Sequence, residues 1–75
     1  MSDSKFFTAS LDVSTRAKRR KAVGLVIDML EKIRFAEEVY MERMPINLQN
    51  SEAYSNADFS LDSIIDAIIG LSDAY

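Results

Sequence analysis

The sequence predicts an all-α protein, an antiparallel helical hairpin with an N-terminal arm that dimerises into a four-helix bundle. Three observations carry that expectation. Apolar residues recur at alternating steps of three and four along two long stretches. The 75 residues include only two Gly and one Pro, and that Pro falls between the stretches. Two paired helices also have fewer inward positions than this chain has apolar residues, which leaves surface for a second copy to cover. A chain this short holds one core, because it buries only about 60% of the surface it would expose unfolded.

Residues 1–13 read as an arm. They lack helical period and carry Phe6, Phe7, Leu11 and Val13, so the arm is expected to dock, either across a partner subunit or as a peptide captured by another protein. Residues 14–75 form the hairpin domain. Its first helix is expected over about 15–43, with Ser14 or Thr15 accepting the first free amide hydrogens. Val23, Val26, Leu30, Ile33, Tyr40 and Met44 make its seam, interrupted at Glu37, which has Glu38 and Glu42 as neighbours. Pro45 disfavours helical backbone at Met44 and ends the helix there.

The loop spans 44–50, and its apolar Ile46 and Leu48 are expected to plug the end of the hairpin. Asn50 or Ser51 opens the second helix, about 52–74, where Glu52 suits the positive end of the helix dipole. Tyr54, Ala57, Leu61, Ile64, Ile68, Leu71 and Tyr75 hold one stripe over three heptads without a polar break. Helices of this length run to roughly 42 and 35 Å and can pair along nearly their whole extent.

Beside these seams lies a surplus. The first helix adds Leu25, Met29, Ala36 and Val39, with Ala22 in the same row and Phe35 on another side; the second adds Phe59, Ile65 and Ile69. A two-helix core is too small to be secure alone, and a C2 dimer of antiparallel hairpins covers the extra rows with short loops. Ala53, Ser60, Ala67 and Ala74, seven residues apart, mark a line where another backbone can approach closely, as does Gly24 on the first helix.

Charge is polarised along the chain. All nine basic residues lie at or before Arg43, five of them at Arg16, Lys18, Arg19, Arg20 and Lys21, whereas Glu52, Asp58, Asp62, Asp66 and Asp73 follow Met44 with no base among them. An antiparallel hairpin sets the basic run beside Asp62, Asp66 and Asp73. The second reading of the run is phosphate contact with nucleic acid, which the net charge of -3 and the lack of interleaved aromatics weigh against.

Catalysis finds little to work with. The chain has no Cys and no His, which removes thiol nucleophiles, the usual general base and the commonest metal ligand. Four-helix di-metal sites pair Glu with Glu-x-x-His, so Glu37 reads as a polar residue that specifies register in an apolar seam. No enzyme activity, cofactor or metal is expected. No apolar run reaches membrane-span length and Met1 to Thr8 carry no secretory-signal stretch, so a cytoplasmic protein without membrane contact is expected.

Met44-Pro45-Ile46-Asn47-Leu48-Gln49-Asn50-Ser51-Glu52-Ala53-Tyr54, followed by the apolar helix that ends Gly70-Leu71-Ser72-Asp73-Ala74-Tyr75, resembles a group of small uncharacterised helical proteins. These occur in Gram-positive bacteria and their prophages and carry a Met-Pro-x-Asn-Leu-Gln-x-Ser-Glu-x-Tyr hairpin loop. The resemblance spans roughly residues 20–75. It implies a bacterial or phage setting and leaves function open; physically, Pro45 stops one helix, Leu48 caps the core and Ser51 opens the next helix. The Ile-rich second helix and the Phe-bearing arm depart from the group's more acidic pattern, and both favour a buried partner surface. The expected function is a non-enzymatic interaction or adaptor module that acts on a host protein.

Overall fold

The computed structural model describes residues 12–75; residues 1–11, and with them the expected docking of the arm, lie outside the described residues. Two helices pair as an antiparallel hairpin. The first, α1, runs Arg16–Glu42. Thr15 supplies its cap: with extended backbone, its hydroxyl accepts the Lys18 amide hydrogen at 3.1 Å, which satisfies a donor that has no partner within the helix.

The far end of α1 closes just before Pro45, as the steric rule predicts. Arg43 keeps helical backbone and donates its amide to the Val39 carbonyl at 3.0 Å. Pro45 (φ -58, ψ 150) then turns the chain away into a single 3-10 turn, Ile46–Leu48, in which the Leu48 amide donates to the Pro45 carbonyl at 2.9 Å. Ser51, one residue further, is extended, and its hydroxyl accepts the Tyr54 amide hydrogen at 3.2 Å to open α2, Glu52–Ala74. No described residue has positive φ, so the connection needs no glycine.

The core is thin. Among the described residues only Met41, 9% exposed, and Ala57, 4% exposed, are buried, one on each helix in the half nearer the turn. The α2 stripe behaves as expected from Tyr54 through Leu71: Tyr54, Leu61, Ile64, Ile68 and Leu71 are half-buried against α1. Tyr75 departs from it. Its ring is exposed and carries the Arg16 guanidinium at 4.8 Å from the centroid, a cation-π contact that ties the open end of the hairpin.

The inner face of α1 differs from the expected seam. Ile33 and Tyr40 are each 50% exposed, whereas Val23, Val26, Leu30 and Met44 of the expected seam are half-buried, as are Ile27, Arg34 and Glu38, and Met41 is buried. A straight helix advances 3.6 residues per turn, and from Met41 the inward line passes back through Arg34 and Ile27, one residue beyond Ile33 and Val26. Arg34 tolerates this place because Glu31 and Glu38 accept its hydrogens at 2.9 and 3.2 Å while its stem lies along the helix.

The loop correction is of the same kind. Ile46 is 85% exposed and Leu48 is exposed too, so neither plugs the hairpin; half-buried Met44 occupies that end instead. A radius of gyration of 16.1 Å exceeds the roughly 11 Å of a compact domain of this length. Little of the apolar surface is hidden.

Candidate functional site

At 100° per residue, Ala22, Leu25, Met29, Ile33, Ala36 and Tyr40 form one stripe on α1, about 120° from the line that faces α2. Leu25, Met29, Ile33 and Tyr40 are all close to half exposed. No charged residue interrupts the stripe. Sequence periodicity found Leu25, Met29 and Ala36 and assigned Ile33 and Tyr40 elsewhere, so the exposed row is longer than expected and continuous over five turns.

Along one side of the inner stripe of α2 runs a row of small uncharged residues. Ala53, Asn56, Ser60, Ser63, Ala67, Gly70 and Ala74 follow steps of three and four, and each is exposed. Only every second member was visible as a heptad repeat; the intervening Asn56, Ser63 and Gly70 complete the row. A Cβ placed on Gly70, or on Gly24 of α1, meets nothing within 4 Å, so no neighbour within the chain presses on either glycine.

Both rows lie on one face of the hairpin. Tyr40 shares one recess with Glu37, Ala53, Asn56 and Ser60, and it also lines a groove of about 600 Å³ with Ala36, Val39, Met44, Leu48 and Ala53. Half-buried Val39 edges the stripe, and Glu37 sits where α1 turns toward α2, without a hydrogen bond to another described residue. The remaining expected surface residues fall elsewhere. Phe35, Ile65 and Ile69 belong to the opposite face, among Glu31, Glu38, Asp58 and Asp62, while Phe59, 74% exposed, points away from α1.

All five residues of the basic run are exposed. Three have local partners: Lys18 pairs with Asp12 at 2.8 Å, Arg19 donates to the Val13 carbonyl at 3.0 Å, and Arg16 lies over Tyr75. The Lys18 ammonium, with the amide and hydroxyl of Ser14, holds the Asp12 carboxyl well below the usual carboxylate range. Hydrogen bonding to Glu31, with the charges of Glu31 and Glu38, raises the Arg34 guanidinium above its ordinary value. Among the described residues no ion pair joins the two helices. Asp62, Asp66 and Asp73 are exposed and do not pair with the basic run, because α2 turns them away from α1.

No group of acidic residues among those described is arranged to hold a metal ion, and no described helix is long and apolar enough to cross a membrane. Compared with protein families, curated proteins and solved structures, the chain matches none.

Proposed function

We propose that this chain is a non-enzymatic interaction module that works as a homodimer, two hairpins joined face to face into a four-helix bundle. The observation that carries the reading is the uncharged apolar stripe of Leu25, Met29, Ile33 and Tyr40, exposed beside a core that has only two buried side chains among the described residues. Contiguous apolar surface of this kind marks a protein contact, and such a contact adds stability to a hairpin with so small a core. The absence of Cys and His leaves no ordinary catalytic set. Phe35, Phe59, Ile65 and Ile69 on the other surfaces suit a further partner, in our reading a cytoplasmic host protein in the bacterial or phage setting that the loop resemblance implies.

Light scattering across a concentration series tests the dimer: the expected mass is twice the 8.5 kDa of the chain, and a monodisperse single chain at every concentration overturns it. The second reading, nucleic-acid contact through Arg16, Lys18, Arg19, Arg20 and Lys21, is favoured by their shared exposure. It requires binding that weakens steeply with salt and disappears when these five become Gln.

A further inference from the structure

The hairpin has a second apolar face, turned away from the α1 stripe, and its charge is one-sided. At 100° per residue, Asp28, Glu31, Phe35, Glu38 and Glu42 fall within about 80° of one another on α1. On α2, Asp58, Asp62, Ile65 and Ile69 fall within about 60°. The two sets meet on one side of the hairpin, where Glu38 and Glu42 share a recess of about 570 Å³ with Met41, Tyr54 and Leu61. A groove results, apolar along its floor and acidic on both banks.

The neighbouring bases do not offset those acids. Arg34 is already held by Glu31 and Glu38 at 2.9 and 3.2 Å, and Lys32 lies outward of Phe35, on the side away from α2. Asp28, Glu42, Asp58 and Asp62 have no ion pair among the described residues. Beside them Phe35 is 67% exposed and Ile69 56% exposed, while Ile65 is half-buried. A surface of this kind repels phosphate and other acidic faces. It suits apolar side chains flanked by Lys and Arg.

We propose that this groove docks a basic amphipathic helix of another protein, its apolar side chains on Phe35, Ile65 and Ile69 and its flanking bases on the acids of the two banks. The proposal rests on the reading of this chain as an interaction module and names the chemistry of its further partner. Two packed helices take a third in their groove at an interaxial spacing of about 8 to 10 Å. From Asp28 to Glu42, α1 rises about 21 Å, enough for some four turns of the bound helix. The docking face lies opposite the dimer face, so a face-to-face dimer presents the groove twice.

The probe is a labelled synthetic helix of Leu and Lys, about four turns long with Leu along one face, titrated with the full chain and followed by fluorescence anisotropy. The expected result is saturable binding that weakens about tenfold from low to physiological salt. Phe35→Ser, and separately Glu42→Gln with Asp62→Asn, should each weaken it about tenfold at unchanged helicity. Asp73→Asn removes a like charge at the open end of the hairpin and should change it less than about twofold. No binding at low salt, equal binding of a Leu and Glu helix, equal loss in Asp73→Asn, or full affinity in Phe35→Ser each overturns the proposal. Light scattering on the same samples reads the dimer separately, so failure of the probe beside a dimer mass leaves the homodimer standing. Assembly beyond the dimer that salt disperses and Phe35→Ser abolishes would give the groove to residues 16–21 of a second copy, and overturns a foreign partner.

Discussion

Asp12 stands three residues ahead of Thr15 and accepts from the Ser14 amide, the Ser14 hydroxyl and the Lys18 ammonium. These partners lower its folded-state pKa, so the stabilisation is present above the ordinary carboxylate range near 4 and is lost as the pH falls through the folded value. Thermal melts followed by circular dichroism should show Asp12→Asn melting below the unaltered chain at neutral pH. The gap should close as the pH is lowered below about 4; a gap independent of pH contradicts this role. The caps act at the same scale. Thr15→Ala and Ser51→Ala should each cost about 1 kcal/mol of stability in denaturant melts, because each strands a helix-end donor. Sequence narrowed each cap to a pair of neighbours; the choice of Thr15 over Ser14 and Ser51 over Asn50 depends on which residue is extended.

Each helix distinguishes its inner face from its outer one by how it answers a buried charge. Ile68→Asp places a carboxylate against α1 and should cost about 2 to 4 kcal/mol, enough to unfold so thin a core. Ile33→Asp lies on the outer stripe and should leave helicity intact while abolishing self-association. Equal loss of helicity in both, read by far-ultraviolet circular dichroism, would mean that Ile33 faces α2 after all. The stripe of α2 was legible in the sequence because polar residues surround it on every other side. That of α1 was legible only in part: apolar residues occur nearly all round the helix, and the inward Arg34 and Glu38 look like solvent positions until their shared ion pairs are seen. Ile46 and Leu48 misled for a simpler reason, since apolar side chains in a tight turn have no neighbour to bury them unless a second molecule supplies one.

For the whole molecule, hairpin topology followed from the two stripes and Pro45, whereas the arrangement of charge did not. Opposite net charges on the two helices implied cross-helix pairs, yet the described ion pairs all run along α1 or its leading turn. The acids of α2 remain outward, turned away from α1. The unbroken row of small residues beside the α1 stripe likewise appears only when both helices are placed on one face. Sedimentation equilibrium of the unaltered chain beside Leu25→Glu tests the central claim most directly. The unaltered chain should weigh twice 8.5 kDa and Leu25→Glu half as much with the same helicity; a fully helical unaltered chain that sediments as a single copy contradicts the account.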